Sequence, residues 1–526
     1  RTGTELLYYA TPTPNEANST GVAGYAEEPT ILLASGCYDS TQSVTIEVPD
    51  GCTVTYTTDG STPTESSTRY SGAISISQTT PLRARAFKSG YFGSDTATAS
   101  YFIYTGADTL ENHRTSLTII SLVTDPENLW DGETGIYVIG DDYAEVSGQD
   151  ATDITMDAGM ADSNWNIVNF NAQPISHPDP LGRNWERDVH FDIIDETGTY
   201  EYDADGVIRI FGAYSRNKEQ KGLALIARSG YGDSVFSDQF FENLDITDFK
   251  SLILRASGQD ATQSRIRDIV ISSLLGDADL GLSADQDIYV QAYRQVVVYL
   301  NGEYWGVYNL REKITKYFVA SHYGIVDPDS IDMLMGNGNV NCVIAGNGWE
   351  DYSDMVEWAG SHDLSNSANY DYICSLMDVE NYATYCAAEI VVGNTDTGNI
   401  KYWRSSETDN KWRWLFYDFC WAMNRNDNNS DAYTSGYRRD FFTRYFDAEG
   451  HGSGKATSTV LSRALLQNSS FRALFLEKVA LMLNEVYTPE KINARVDELE
   501  DNIMDEMAYD VDIWDDITYT SWQQHC

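Results

Sequence analysis

The sequence predicts an α+β protein of two lobes that follows a small N-terminal β-sandwich. Short alternating apolar runs with regular turns come first, longer mixed strands begin near Leu117, and helical patterns dominate the last third of the chain. Strands first and helices last is typical of an α+β plan. At 526 residues the chain is too long for one hydrophobic core, so we expect about two to four domains.

The charge balance excludes some classes of partner. With 35 Lys and Arg against 80 Asp and Glu, the formal net charge is −45. Nucleic-acid binding depends on clustered basic residues, so we expect no nucleic acid partner. The acidic surface favours solubility, and a basic protein substrate or divalent cations are secondary interpretations. No apolar run approaches the roughly 20 residues of a membrane helix, so no membrane span is expected.

Location is inferred from composition. No signal peptide is present and the first residue is Arg1, so we expect a processed or trimmed chain. Many Tyr, Thr, Asp and Asn with few Lys are typical of secreted bacterial surface proteins and polysaccharide-degrading proteins. We therefore expect a secreted or cell-surface protein.

The cysteine pattern argues against a zinc site. None of the seven cysteines forms a CxxC pair, and no His cluster accompanies them. Cys37 and Cys52 could form a disulfide in an oxidising compartment. The odd total leaves at least one thiol free or available to an outside partner.

Residues 1–27 are polar and carry two Pro before an Asn/Ser/Thr/Gly cluster, which predicts a linker. The string YYATPTPNEANSTG also resembles the end of a lamin-tail-like domain, which implies a further domain upstream. As a plain linker the segment needs no function.

Residues 28–105 predict an all-β unit with turns at Asp59-Gly60 and Ser89-Gly90. Strands are expected at 44–48, 53–58, 73–77, 82–87 and 97–104. The string YTTDGSTPTESSTRYSG and the following LRARAFKSGYFGSDTATASY resemble the chitobiase C-terminal-like module, which implies an immunoglobulin-like β-sandwich. Its expected role is that of a spacer; the alternative is carbohydrate or cell-wall contact through Tyr56, Tyr70 or Tyr91.

Residues 106–526 carry the mixed part of the fold. Strands are expected at 116–124, 135–140, 189–195, 206–212 and 223–228, and a hairpin turned by Asn301-Gly302 is expected within 296–314. Helices are expected at 379–392, 470–485 and 489–507, the last with a Pro near its start.

One stretch of the sequence predicts a catalytic site. Asp396 and Asn399 lie three positions apart, a hairpin at 400–404 and 411–416 follows, and Asp418 ends its second strand. Asp-x-x-Asn, a hairpin and Asp is the layout by which protein kinases hold two metal ions and a nucleotide. A carboxylate at position 418, after an apolar run, needs a metal or a strong partner. In the simpler interpretation, Asn394 and Asp396 only cap and turn the end of the preceding helix.

Several long motifs in order resemble the CotH family of spore-coat and surface-associated atypical kinases, from roughly Thr115 to the end. They are GIYVIGDDY (135–143), GAYSRNKEQKGLALIAR (212–228), LRASGQD (254–260), VVVYLNGEYWGVYNLREKI (296–314), NTDTGNIKYWR (394–404) and KWRWLFYDF (411–419). The resemblance implies a pared-down two-lobed kinase-like fold. It also implies that ATP and Mg²⁺ or Mn²⁺ are bound and that Ser or Thr of a protein substrate is phosphorylated.

The resemblance assigns roles to individual residues. Lys221 matches the lysine that contacts the phosphates, Arg216 is a second phosphate contact, and Glu312 is expected to pair with Lys221. Asp396 matches the catalytic acid, whereas Asn399 and Asp418 match the metal ligands. For Lys221 and Glu312 the simpler alternatives are a solvated charge and an ordinary ion pair on a helix surface.

The chain departs from the family pattern at two places. Cys420 stands where relatives carry a second Asp, and a thiol is a poor ligand for Mg²⁺. Glu219 and Gly222 replace a Pro and a Ser near the phosphates. A catalytically weak kinase-like scaffold or adhesion module is therefore the second hypothesis. A glycosidase with a carboxylate pair is a third, but no feature singles out such a pair.

Overall fold

The computed structural model describes residues 7–9, 21–106, 109, 113–141, 185–212, 214–282, 288–336, 342–396, 399–423, 440–448, 459–514 and 517–526. Within these residues the chain is a mixed α+β protein with a β-rich N-terminal region. Most of the predicted linker lies outside them. Within its described part, Tyr8 pairs with Val22. Tyr25 pairs with Phe92 of the β-rich region, so this part of the linker packs onto that region.

The N-terminal module contains nine short strands, β1 to β9. They are Thr30–Ile31, Gly36–Tyr38, Gln42–Val44, Ile46–Glu47, Thr53–Thr57, Thr68–Arg69, Ile74–Ile76, Thr80–Phe87 and Thr96–Ile103. A five-stranded sheet has the order β2-β9-β8-β5-β6, and two-stranded sheets pair β1 with β4 and β3 with β7. All five predicted strands are present, although the run at 44–48 is divided at Thr45. The turn glycines Gly60 and Gly90 both have φ of +82°, a conformation that glycine adopts without strain.

The seven cysteines are all free thiols, so the possible Cys37–Cys52 disulfide does not form. Cys37 lies on β2 and its Sγ is 3.8 Å from the hydroxyl of Tyr104, whereas Cys52 precedes β5 and points its Sγ at the carbonyl of Asp50. The two thiols therefore have different neighbours.

Seven strands form a closed barrel in the order β10-β11-β12-β13-β16-β18-β17. A two-stranded pair, β14 with β15, precedes β16 along the chain. The strands β10 to β18 are Thr118–Val123, Arg187–Ile194, Tyr200–Phe211, Gly222–Ile226, Phe236–Ser237, Asp248–Phe249, Ser251–Arg255, Tyr293–Leu300 and Glu303–Glu312. Parallel pairing of β10 with β17 closes the barrel, whose inward side chains form an apolar core. The predicted Asn301-Gly302 turn joins β17 to β18, with φ of 52° and 83°.

The segment 135–140 is not the strand that its composition predicted. Ile136 and Tyr137 are buried, but their amides donate to the carbonyls of Asn128 and Leu129 in the short helix α1, Pro126–Trp130. Because the backbone bonds to this helix rather than to a strand, it follows an irregular path. The last two residues of the motif, 142 and 143, lie outside the described residues.

The remaining elements alternate helices with a second sheet. Strands β19 to β22 are Ile331–Met335, Cys342–Ala345, Lys401–Ser405 and Arg413–Leu415, in the order β20-β19-β21-β22. Helices α2 to α11 are Arg267–Gly276, Lys316–Tyr323, Trp349–Ser361, Ser367–Leu376, Val379–Val391, Phe441–Phe446, Val460–Leu465, Ser469–Leu481, Pro489–Ile513 and Tyr519–His525. The predicted α+β plan is therefore confirmed, and the predicted hairpin is present as β21 and β22, whereas β19 and β20 are further strands among the helices.

The three long helices that were predicted are present as α6, α9 and α10. Helix α10 begins with Pro489 at its first position, and the Thr488 side chain accepts a hydrogen bond from the Lys491 amide. Among the described helices, none is long and apolar enough to cross a membrane. The domain boundaries 1–27, 28–105 and 106–526 stay predictions.

The N-terminal module is joined to the barrel through a buried carboxylate. Asp192 on β11 accepts hydrogen bonds from the hydroxyls of Ser35 and Ser100, at 2.7 and 2.6 Å. His190, 3.6 Å from Asp192, also contacts Asp205 at 2.9 Å. Although burial opposes it, these two carboxylates raise the pKa of His190 to about 10. The imidazolium, the buried Asp192 and the more exposed Asp205 therefore form one polar network at the junction.

We predict that Asp192→Ala lowers the free energy of unfolding by about 2–4 kcal/mol, because it leaves two buried hydroxyls and an imidazolium short of an acceptor. Urea unfolding at neutral pH measures the effect. The matched control is Asp203→Ala, which removes an exposed carboxylate from the neighbouring strand β12. Equal stability of the two variants would contradict a structural role for the junction.

Candidate functional site

The predicted Asp396, Asn399 and Asp418 converge at one place. The Asn399 side-chain amide donates to Asp396 at 2.7 Å and to Asp418 at 3.4 Å. Asn399 lies two residues before β21 and Asp418 three residues after β22, and these two strands form a hairpin in which Lys401 pairs with Leu415. The hairpin register therefore sets the distance between Asn399 and Asp418, as the spacing in the sequence predicted.

Helix α6 delivers Asp396 to this place. The helix ends at Val391, Gly393 follows it with φ of +65°, and the backbone amide of the buried Asn394 donates to the carbonyl of Glu389. The Asn394 side chain then accepts a hydrogen bond from the amide of Asp396 at 3.0 Å. The simpler interpretation of a helix end is therefore correct for Asn394, but the carboxylate of Asp396 extends beyond it to Asn399.

Asp418 has a strong partner, as its apolar neighbourhood requires. Its side chain is 24% exposed, and Oδ1 lies 2.6 Å from Nη2 of Arg255 at the end of β16. Its backbone has φ of +65°, a conformation uncommon for residues other than glycine. Sequence reasoning missed Arg255, although it lies in the quoted motif LRASGQD.

Cys420 faces the loop after β16 rather than the Asp396–Asn399 pair. Its buried Sγ accepts from Arg255 at 2.9 Å and donates to the Ser257 carbonyl at 3.3 Å. Burial raises the pKa of the Cys420 thiol to about 12, with Asp418 adding to the rise and Arg255 opposing it. The thiol is therefore protonated at neutral pH and supports the loop that holds Arg255.

Sequence reasoning also missed a third carboxyl group, which lies near those of Asp396 and Asp418. Glu389 is buried on α6, and the Tyr445 hydroxyl lies 3.4 Å from its Oε2. Burial, with a contribution from the charges of Asp396 and Asp418, raises the pKa of Glu389 to about 8. A Glu within the apolar C-terminal half of α6 was the signal that could have found it.

Lys221 does not lie where the resemblance placed it. Its ammonium group is fully buried and donates to the carbonyls of Arg216 and Lys218 at 2.9 and 2.8 Å, above the ring of Tyr137. Burial lowers its pKa to about 7. The side chain therefore supports the loop that carries Arg216.

Glu312 does not pair with Lys221. It ends strand β18, where His322 lies 2.9 Å from Oε1 and the Ala292 amide 3.0 Å from Oε2. Among the described residues, His322 is the basic side chain that lies within ion-pair distance of Glu312. The predicted Lys221–Glu312 pair is therefore wrong in this structure, and so is the alternative of a helix-surface pair, because Glu312 lies on a strand.

A cleft of about 1040 Å³ lies beside the Asp396–Asn399–Asp418 cluster. One part of its wall is apolar, with Phe211, Ile226 and Ile253 from the barrel and Met335 and Ile344 from the second sheet. The other part is basic and includes Arg209, Arg216, Lys218, Arg255, Lys313 and Lys401. This concentration of cations in a chain of net charge −45 indicates an anionic ligand.

Arg216 lies in this cleft, as predicted. It is buried, its Nε is 2.5 Å from the Gly212 carbonyl, and burial together with nearby Arg209 lowers its pKa to about 9. Arg209, Lys313 and Lys401 were not predicted. Arg209 and Lys401 interrupt runs of apolar residues on β12 and β21, which is the signal that could have found them.

The donor groups of the cluster suit a hard divalent cation. Asp396, Asn399 and Asp418 offer two carboxylates and one amide, and Mg²⁺ prefers oxygen ligands completed by water and phosphate. Within the described residues, no group of three or more His, Cys, Asp or Glu side chains forms a metal site by itself. The residues present therefore fit a cation that is held jointly with a phosphate ligand.

We predict that Lys221→Met changes the pH dependence of stability. The folded pKa of about 7 lies below the ordinary value of 10.5, so the unfolded chain binds the proton more tightly and stability rises with pH above 7. Relative to the variant, the wild type should gain about 1 kcal/mol per pH unit between about pH 7 and 9. Urea unfolding across this range measures the difference. Lys250→Met is the control, and a difference that stays constant with pH would contradict the buried ammonium.

Two models of known protein families match this chain. A search of curated proteins finds no match. The chitobiase/beta-hexosaminidase C-terminal domain model matches residues 33–100. The CotH kinase protein model matches residues 208–526, more than half of the chain, and includes Asp396, Asn399 and Asp418. The chain therefore belongs to the CotH kinase protein family, with a chitobiase-like β module preceding the CotH domain.

Proposed function

We propose that this protein is a secreted or surface-attached atypical kinase that transfers the γ-phosphoryl group of ATP to Ser or Thr of a protein substrate. One observation carries the proposal: Asp396, Asn399 and Asp418 meet at the edge of a cleft with a basic and an apolar wall. The barrel and the helix-rich remainder would be the two lobes of a kinase-like fold, with the cleft between them. Membership of the CotH family and the composition support the proposal.

The roles of the residues follow from their chemistry. Asp396 would orient the acceptor hydroxyl and take its proton as the new oxygen–phosphorus bond forms and the bond to the β-phosphate breaks, so that ADP leaves. Oxygens of Asp418 and Asn399 would hold Mg²⁺ or Mn²⁺, which when bound neutralises phosphate charge. Arg216 would contribute a guanidinium to the phosphate oxygens. The apolar wall at Ile253 and Met335 would take the adenine.

Asn399 and Arg255 keep the two carboxylates close together without a cation. The Asn399 amide donates to both Asp396 and Asp418, and Arg255 offsets the charge of Asp418. With a cation bound, the oxygens of Asp418 and Asn399 would be the groups that hold it. The Asn399 side chain would have to turn its oxygen toward the cation, which a rotation about one bond allows.

The second candidate function is a catalytically weak scaffold or adhesion module. Two observations favour it: Cys420 replaces a family carboxylate, and Lys221 does not pair with Glu312. In that case the β module would contact glycan or cell wall. Tyr91 is 39% exposed and suits this role, whereas Tyr56 and Tyr70 pack against the core of the module.

The position of Cys420 weakens this second candidate. Its Sγ is directed at Arg255 and Ser257, so a carboxylate in its place would meet the loop rather than Asn399. The presence of Cys420 instead of the family carboxylate therefore affects the hydrogen bonds to this loop more than the binding of a metal ion.

We predict that ATP with Mg²⁺ or Mn²⁺ raises the melting temperature of the wild type and that Asp418→Asn removes the metal-dependent part of the rise. Autophosphorylation should fall by about 100-fold or more, because a charged metal ligand is lost. Asp371→Asn, on an exposed helix position, is the control. A wild type that shows no stabilisation at millimolar nucleotide would support the scaffold instead.

We predict that Cys420→Ala leaves the affinity for ATP and Mg²⁺ within about threefold of the wild type, because a buried thiol that bonds to a loop is not a ligand for a hard cation. Equilibrium titration with a fluorescent ATP analogue measures the affinity. A loss as large as that of Asp418→Asn would show that position 420 belongs to the metal site.

A further inference from the structure

Four cations from separate segments line one part of the cleft. Arg209 lies on β12, Arg216 in the loop before β13, Lys313 directly after β18, and Lys401 at the start of β21. Arg209 faces the cleft because side chains alternate along a strand: its neighbours two positions away, Val207 and Phe211, pack with the cleft-side residue Ile253. The barrel and the second sheet thus both direct basic side chains into the same space.

This grouping of like charges is unfavourable without a ligand. Burial lowers the pKa of Lys313 well below its ordinary value, and the nearby charges of Arg209, Lys401 and Arg216 lower it further, while Glu186 opposes them. Groups of one sign crowded into a cleft are typical of sites that bind the opposite charge. A polyanionic ligand would offset this repulsion.

Three other cations of the cleft already have strong partners. Arg255 lies 2.6 Å from a carboxylate oxygen of Asp418, and Arg228 lies 2.6 Å from one of Glu186. The ammonium group of Lys250 donates to the Ser234 carbonyl. These side chains have structural roles that a ligand would have to disrupt.

Lys313 and Lys401 differ from these residues. Within the described part of the chain, neither ammonium group donates a hydrogen bond to a protein group or lies within ion-pair distance of a carboxylate. Lys401 lies over the ring of Tyr417, with Nζ 4.2 Å from the ring centroid. Lys221, by contrast, directs its ammonium group at two backbone carbonyls.

We propose that Lys313 and Lys401 are the two lysines that hold the phosphates of the nucleotide, one from the barrel and one from the second sheet. Lys221 instead supports the loop of Arg216. The assignment rests on the proposed function, because it presupposes a nucleotide in this cleft. It also specifies the ligand: two ammonium groups from separate elements offer more charge to linked phosphates than to one, so we expect a nucleoside triphosphate to bind more tightly than a monophosphate.

Calorimetric titration of the full chain tests the assignment with ATP, ADP, AMP and inorganic tripolyphosphate, each with Mg²⁺. We expect Lys313→Met and Lys401→Met each to weaken ATP binding about tenfold or more, and AMP binding about threefold or less. Lys313→Arg and Lys401→Arg should recover part of the loss. Lys250→Met, a lysine of the same cleft with an occupied ammonium group, should change the affinity by less than about threefold.

The results separate the two proposals. If the wild type binds ATP and both Met variants bind it equally well, the lysine assignment is wrong and the proposed function stands. If the wild type binds none of the nucleotides, both are wrong. Binding of tripolyphosphate as tight as that of ATP would retain the lysines and identify an inorganic polyphosphate as the ligand.

A labelling experiment avoids any loss of folding in the variants. An acyl-phosphate derivative of ATP transfers its acyl group to a nearby amine, which forms an amide and releases ATP, and peptide mass spectrometry then identifies the lysine. We expect acylation at Lys313 or Lys401 that excess ATP prevents. Acylation of Lys221 without either of them would overturn the assignment.

Discussion

The hydrogen bonds from the Asn399 amide to two carboxylates are the interaction on which the site depends. They bring Asp396, at the end of a helix, to Asp418, at the end of a hairpin. The hairpin register and the positive φ of Asp418 place the second carboxylate, and Arg255 offsets its charge. Two carboxylates held together in this way are the arrangement on which the proposed binding of a divalent cation depends.

The alternation of side chains along the barrel strands determines which of them face the cleft. On β13, Leu223 and Leu225 point into the barrel core, whereas Gly222 and Ile226 lie on the cleft wall. Lys221 shares the parity of the two leucines, so its side chain extends away from the cleft. The same alternation directs Arg209 into it. The barrel thus has an apolar inner face and an outer face that is partly basic.

Local features of the site could be predicted from the sequence, because a hairpin fixes the separation of residues that are close along the chain. Asn399 and Asp418 are such a pair. The partnership of Arg255 with Asp418 spans 163 positions and depends on how the barrel meets the second sheet, which no local pattern encodes.

The error at Lys221 has a different cause: a shift of one position along a strand moves a side chain to the opposite face. The segment 135–140 has a strand-like composition, but the carbonyls of a neighbouring helix satisfy its backbone.

The distribution of charge gives the cleft its character. Most of the chain is acidic, whereas Arg216, Lys313 and Lys401 face a confined space next to two carboxylates. The proposed triphosphate with its divalent cation would complement both parts of this arrangement, with the phosphates beside the basic groups and the metal held by Asp418 and Asn399. The most direct measurement is anomalous diffraction from crystals grown with Mn²⁺ and a non-hydrolysable ATP analogue. The account predicts a manganese peak at the oxygens of Asp418 and Asn399, with the phosphates beside Lys313 and Lys401. A nucleotide bound elsewhere, or manganese away from Asp418, would contradict it.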